Sequence, residues 1–435
     1  MHRLTLNIRN SRRPQYAIAA CLTALLIGLL SQVMTRVQAS SIPTRMADSF
    51  VNSIGVATHL RYLDTAYTRY EDVIKPRLQE LGVRHIRDGG KDLLMFQKMN
   101  DLAKLGIKST LVMDPRDGIF PANVVSEVLN PTLSAVEAIE GPNEWDVQPQ
   151  LNYQGQTFPG GIRAYQTDLY NAIKQNPATA NLSVLMPSLA IPFNAPQLGY
   201  INELDAGNMH SYAGGNLPSQ DLDTKWIPLT QVVSGNSKPI VATETGWHTA
   251  IADPAPSQPA ISEQAAAKYI PRLFLEYFNR NVQRAFVYEL IDERPVPNQE
   301  NNFGLLRVDG TPKPAFTALK NLIALLTDPG TNFQPQTLSY QLTGNVANVH
   351  HTVLQKRDRR FYIALWQEVP SYNWQTKMDL AVPEQTVTLS LATAFKSAKA
   401  YQPINSVAPI WQQSNVTQLQ VAVPDHPLII ELTPA

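Results

Sequence analysis

Glu144 and Glu244 each close a short apolar run within a compact motif, Ile139-Glu140-Gly141-Pro142-Asn143-Glu144-Trp145 and Ile240-Val241-Ala242-Thr243-Glu244-Thr245-Gly246-Trp247. Each run reads as a buried strand. Two carboxylates at the ends of two different strands can face one another across a cleft. A protonated carboxyl opposite an ionised one is the equipment that breaks a glycosidic bond, and the gap between the two sets the stereochemical course.

Bringing such distant residues together calls for a repeating scaffold. From Phe50 to about Leu326, short apolar runs alternate with longer amphipathic stretches, the pattern of repeated βα units. The candidate strands are Ser53-Thr58, Val83-Arg87, Ser109-Met113, Ala138-Gly141, Ser183-Pro187, Ala206-His210, Pro239-Thr243 and Arg284-Tyr288. Helices are expected between them, for example over Tyr70-Leu81, Leu93-Leu105, Ile162-Gln175, Ile261-Asn279 and Pro314-Leu326. Gly82 and Gly106 stand where a left-handed cap would turn the chain from helix to strand.

Eight such units predict an α/β fold, a (β/α)8 TIM barrel over residues 48–328. A doubly wound sheet would want a glycine-rich phosphate turn after its first strand, and the sequence has none there. After Asp328-Pro329-Gly330 the pattern changes to short alternating runs, including Phe361-Trp366, Gln385-Leu391, Ala398-Tyr401, Gln418-Val423 and Leu428-Leu432, which predict an antiparallel β-sandwich domain over residues 333–435. Trp366, Tyr372, Trp374 and Trp411 in that domain either pack its core and interface or offer stacking faces to a carbohydrate.

Catalytic groups of such a barrel collect at the C-terminal ends of its strands. Besides the two glutamates, Arg87 and Asp88, Asp114, His210 and Tyr212, and Tyr288 and Glu289 fall at those ends. Asn143-Glu144, His210-Ser211-Tyr212 and Thr243-Glu244-Thr245-Gly246-Trp247, in that order, resemble the retaining glycoside hydrolases of the large (β/α)8 clan called clan A. The stretches Tyr288-Glu293, Asn302-Leu306 and Asp309-Ala315 are similar to the last barrel unit of its cellulase-like and xylosidase-like members.

The resemblance covers about Phe50 to Leu326 and implies Glu144 as general acid/base and Glu244 as nucleophile. It implies Arg87 as the cation beside the nucleophile, with a salt bridge to Asp88 or another rim acid as the alternative. Tyr212 is placed to donate to the Glu244 carboxylate, Asn143 to hold a sugar 2-hydroxyl, and His210 to orient either glutamate. Trp145 and Trp247 are candidates for sugar stacking or for barrel packing, and His59 for lining the subsite beside the cleaved bond. Glu140, Glu289, Asp292 and Glu293 read as structural or substrate-orienting acids. Where many clan members carry a tryptophan at the end of the eighth strand, this sequence has Phe286-Val287-Tyr288-Glu289, so either Tyr288 takes that place or the subsite differs.

The 36 basic and 36 acidic residues balance to zero, so no charge excess points to nucleic acid or to an anionic membrane. The expected partner is a β-linked glycan. Arg3, Arg9, Arg12 and Arg13 precede a greasy stretch from Ala17 to Leu30, and Val37-Gln38-Ala39 offers a cleavage site. Residues 1–39 thus read as a signal peptide, with an uncleaved membrane anchor as the alternative, and the protein as secreted or held in the periplasm or cell envelope.

The single cysteine, Cys21, lies in that segment, so no disulfide or thiol nucleophile is expected beyond it. No metal or cofactor is expected, since neither a His-Glu-x-x-His run nor a calcium-type carboxylate loop is present. The rival expectation is a noncatalytic carbohydrate-binding or envelope scaffold protein that keeps the barrel.

Overall fold

Eight parallel strands stand side by side in the computed structural model, which describes residues 43–435. The expected leader, residues 1–39, lies outside the described residues. The strands are β2 (Ile54–Ala57), β3 (His85–Gly89), β4 (Lys108–Val112), β5 (Val136–Glu140), β6 (Ser183–Leu185), β7 (Gly207–His210), β8 (Ile240–Thr245) and β9 (Val282–Val287). Their order is β6-β5-β4-β3-β2-β9-β8-β7. A parallel bridge between Leu185 and Ala206 joins the two ends, and the Met186 N–H donates to the Ala206 carbonyl at 2.9 Å. The sheet therefore closes into the expected barrel.

Apolar side chains inside the barrel, Leu185, Ala206, Val241 and Phe286, form a small buried cluster of their own. Gly55 makes room for it, because a Cβ there would sit 2.4 Å from the Phe286 ring. The outer faces of the strands pack on the surrounding helices in one large core. Ser262 caps the helix Glu263–Asn279, accepting from the Ala265 N–H at 2.9 Å. That helix is buried along most of its length because a second domain covers its outer side.

The second domain is one sheet, mostly antiparallel, that takes in β1 (Arg45–Met46) and has the order β1-β11-β12-β17-β15-β10 with β16 beside β15. Its strands are β10 (Tyr340–Gly344), β11 (Val349–Gln355), β12 (Phe361–Gln367), β15 (Gln385–Tyr401), β16 (Pro409–Val423) and β17 (Leu428–Pro434). A small hairpin, β13 (Tyr372–Asn373) and β14 (Met378–Asp379), projects from it. In β12, Tyr362, Ala364 and Trp366 face the barrel core, whereas Phe361, Ile363 and Leu365 face the interior of the second domain. One strand thus serves two cores, with the period of two that a sheet imposes.

The sequence runs Gln385-Leu391 and Ala398-Tyr401, expected as separate strands, belong to the single strand β15. Its buried positions stay odd through Phe395 (387, 389, 391, 395) and become even (398, 400) beyond it, where the register with β17 shifts between Phe395 and Ser397. The strand β1 (Arg45–Met46), which precedes the barrel, pairs in parallel with β11 and so extends the second domain's sheet. Among the described residues no helix is long and apolar enough to cross a membrane.

Candidate active site

Arg87, near the C-terminal end of β3, is the hub of the site. It is only 5 % exposed, and its guanidinium donates to Glu140 from Nε at 2.8 Å and from Nη2 at 2.9 Å. Nη2 also donates to Asn143 Oδ1 at 2.7 Å, and Nη1 donates to Glu244 Oε1. Burial disfavours a cation here, but Glu140 and Glu244 together hold Arg87 well above even its ordinary range. The Asp88 salt bridge allowed by the sequence does not form. Asp88 instead accepts from Thr58 Oγ1, the Leu60 N–H and the Gly89 N–H, and burial pushes it up to about 6.

Glu140 lies at the floor, fully buried at the end of β5. Burial would raise its carboxyl, but Arg87 and then His210 hold it down to about 2. It is therefore the fixed anion on which Arg87 is mounted. Thr243 Oγ1 at 3.1 Å and Asn208 Nδ2 at 3.2 Å complete its hydrogen bonds.

The remaining groups stand above this floor. Glu244, within β8, accepts from Tyr212 Oη at its Oε2, 2.7 Å away. Glu144 follows β5 by four residues and sits in the left-handed region at φ 50°, a conformation costly for a residue with a side chain. Its N–H donates to Ser188 Oγ at 3.1 Å. Gly141 lets the turn pass close to Pro187, since a Cβ there would lie 3.0 Å from the Pro187 backbone. The strained turn aims the Glu144 carboxylate back over the barrel mouth.

His210 joins the two glutamates. Its Nδ1 lies 2.7 Å from Glu144 Oε1 and 3.6 Å from Glu244 Oε2, and Nε2 lies 3.1 Å from Thr243 Oγ1. One oxygen of each carboxylate and the imidazole nitrogen all fall within 4.8 Å of one another. Burial works against a charged imidazole, yet Glu244, Glu140 and Glu144 raise His210 to about 10. In return, although burial pushes Glu144 up, the hydrogen bond and charge of His210 hold it below the usual carboxyl range. At neutral pH the pair thus holds one proton, on the imidazole, across a 2.7 Å hydrogen bond.

A cavity of about 530 Å³ opens over these groups, lined among others by Arg87, Asn143, Glu144, Tyr212, Glu244 and Tyr288. Tyr288 directly follows β9 and lines the cavity. Its hydroxyl lies 3.1 Å from His59 Nε2 and donates to Glu300 Oε1 at 3.3 Å. His59 also lines the cavity and stacks on Tyr62 at 4.5 Å, and burial lowers it to about 3, so the ring is neutral.

Trp145 and Trp247 correct the stacking alternative. Trp145 is fully buried and meets Tyr165 edge-on at 6.1 Å, while Trp247 is 3 % exposed, packs on Tyr269 and donates to the Asn216 carbonyl. Neither lines the cavity. Glu300, Arg61, Arg116, Asp117 and Gln299 do, and sequence reasoning did not single them out. They sit outside the regular strands and helices, where no periodicity marks a position as inward. Arg61 pairs with Asp117 at 2.7 Å and Arg116 with Asp114 at 2.8 Å, so two of the cavity's cations are already matched.

Among the described residues, two groups of donors come close enough to hold a metal ion. In the first, Glu144, His210 and Glu244 already satisfy one another, and a protonated imidazole has no free lone pair to offer. In the second, His59, Glu289 and Glu293, Glu289 accepts from Tyr67 at 2.8 Å and Glu293 pairs with Arg294 at 3.1 Å. Burial raises Glu289 well above the carboxyl range and pushes Glu293 up to about 7, which favours protonated acids in that corner.

No protein-family model and no curated protein matches the sequence. Solved structures do match the fold. A family 39 glycoside hydrolase from the gut symbiont Bacteroides cellulosilyticus WH2 aligns over 90 % of this chain and 83 % of its own, with a TM-score of 0.54 and 16 % identity. A glucosidase from Croceicoccus marinus aligns over 84 % of this chain and 93 % of its own, with a TM-score of 0.54 and 12 % identity. At these identities the likeness is one of architecture: the chain has the fold of these glycoside hydrolases, a (β/α)8 barrel joined to a β-sandwich domain.

Proposed function

We propose that the protein is an exported retaining β-glycoside hydrolase that cleaves β-linked poly- or oligosaccharides by double displacement. The observation that carries this reading is the approach of Glu144 and Glu244 to within 4.8 Å, with Arg87 and Tyr212 both donating to Glu244. Inverting enzymes set their carboxyl groups wider, about 6.5–9.5 Å apart, to admit a water between them.

Glu244 attacks the anomeric carbon while Arg87 and Tyr212 fix its carboxylate in line. The one proton of the pair passes from His210 through Glu144 to the departing oxygen, so the aglycone leaves neutral. Glu144, now a carboxylate beside the His210 imidazole, takes a proton from water as that water displaces Glu244. A sugar hydroxyl in place of the water would give transglycosylation by the same groups. Asn143, fixed by Arg87 and lining the cavity, is placed to hold the 2-hydroxyl of the sugar under attack.

The test uses aryl β-glycosides and natural β-glucans, xylans and mannans with the mature protein and two variants. Turnover is expected with at least one substrate, and Glu244→Ala is expected to abolish it. Azide should then yield an α-glycosyl azide from Glu244→Ala and a β-glycosyl azide from Glu144→Ala. The reverse pattern of azides, or turnover indifferent to Glu244, would contradict the assignment. Amino-terminal sequencing of the protein recovered outside the cytoplasm tests export, with a new terminus near Ser40 as the expected result.

A further inference from the structure

Beside the catalytic cavity lies a second cavity of about 400 Å³, walled by the barrel loop from Asp253 to Ala260 and by the hairpin β13–β14 of the second domain. The two cavities share Ser257 and Gln258, which form a ridge between them. Gln299, a wall residue of the catalytic cavity, fastens that ridge: its Nε2 donates to Ser257 Oγ at 2.9 Å and its Oε1 accepts from the Gln258 N–H at 3.2 Å.

Trp374 stands over the second cavity with 38 % of its surface exposed, whereas Trp366 is fully buried and Tyr372 nearly so. The root of its side chain lies on Gly215, where a Cβ would come within 2.5 Å, so the indole is seated on backbone. The hairpin is tied to the barrel as well. Lys377 Nζ donates to the Ile251 carbonyl at 2.8 Å, and Ser262 Oγ donates to Asp379. An exposed indole fixed at the edge of a cavity, with Gln375 and Gln258 nearby as hydrogen-bonding partners, suits the CH-rich face and hydroxyl rim of a pyranose.

Building on the hydrolase reading, we propose that this cavity is an outlying subsite, with Trp374 as its platform, for sugar units of the same β-linked glycan whose scissile bond lies at Glu144 and Glu244. A chain crossing the Ser257–Gln258 ridge would occupy both cavities, and the second domain would thereby contribute to the choice of long substrates over short ones.

The experiment compares wild type, Trp374→Ala and Trp374→Phe on an aryl β-glycoside, a disaccharide and a hexasaccharide of the preferred linkage, with melting temperatures measured alongside. For Trp374→Ala, kcat/KM on the hexasaccharide should fall about fivefold to tenfold, through KM, with the short substrates unchanged and the phenyl variant close to wild type. An equal fall on all three substrates, or no fall on any, would overturn the subsite.

Migration through native gels containing soluble β-glucan, xylan or mannan supplies a readout that needs no turnover. Retardation that Trp374→Ala loses supports the subsite even if nothing is hydrolysed, in which case only the hydrolase reading fails. Equal migration of wild type and Trp374→Ala in every gel, together with equal turnover, sinks the subsite alone.

Discussion

Two buried arginines do different work in this chain. Arg272, fully buried at the junction of barrel and second domain, donates from Nε to Glu368 at 2.8 Å and from Nη1 to the carbonyls of Val369 and Asp425 at 3.1 Å. One cation meets one carboxylate and two carbonyls in a buried seam. Arg87 meets two carboxylates, Glu140 and Glu244, with Glu144 a third nearby, and the surplus negative charge faces a cavity of about 530 Å³.

The junction is a closed set of partners that holds two domains in register. The barrel mouth is left with carboxylates not neutralised by Arg87, and that surplus is what raises His210 to about 10 and keeps its imidazole protonated beside Glu144.

The contrast can be broken by mutation. The largest effect expected is on activity: Glu244→Ala should cost at least ~10⁴-fold in kcat, with a melting temperature close to wild type, because Arg87 keeps Glu140 as its partner. A large loss of stability in that variant would put Glu244 on the structural side of the comparison. Arg272→Met should show the opposite profile, losing about 3–5 kcal/mol of stability because Glu368 is left buried without its cation, while kcat measured below the melting range stays within about twofold. A selective drop in kcat would tie the junction to the chemistry.

A smaller and pH-dependent difference should separate the two sites in acid. Glu140 is held down to about 2 against an ordinary 4.5, so its contribution to stability is present above pH 4.5 and is lost as pH falls toward 2. The shift corresponds to about 3 kcal/mol. Followed by circular dichroism, Glu140→Gln should therefore be less stable than wild type above pH 4.5 and show a flatter dependence between pH 4.5 and 2. An unchanged slope would mean that the Arg87 cluster does not set acid stability.

The smallest effect concerns His210. Removing the imidazole in His210→Asn leaves the proton of the pair on Glu144 alone, so the alkaline limb of kcat/KM, set in the wild type by His210 at about 10, should move to lower pH while kcat falls about tenfold to a hundredfold. An alkaline limb that stays in place would detach His210 from the Glu144 proton.

The barrel was legible because strand and helix leave different periods in the sequence, and the glutamates were legible because each polar residue interrupts an otherwise apolar run. Arg87 and Tyr212 could be placed for the same reason, being polar residues at or just past strand ends. The tryptophans could not. Trp145 opens a 3₁₀ turn just after the left-handed residue Glu144, and that turn sends the ring among the helices, a direction no spacing encodes. Glu300 and Arg61 are positioned by irregular loops. The parallel pairing of β1 with β11 joins residues some three hundred positions apart and leaves no local trace in either segment.

The most direct test of Glu244 as the nucleophile is to trap the covalent intermediate. An activated 2-deoxy-2-fluoro β-glycoside of the preferred sugar, incubated with the protein and followed by intact mass and peptide mapping, should leave one glycosyl unit on the peptide containing Glu244. A label on Glu144, or on any other residue, would contradict the assignment on which the double displacement rests.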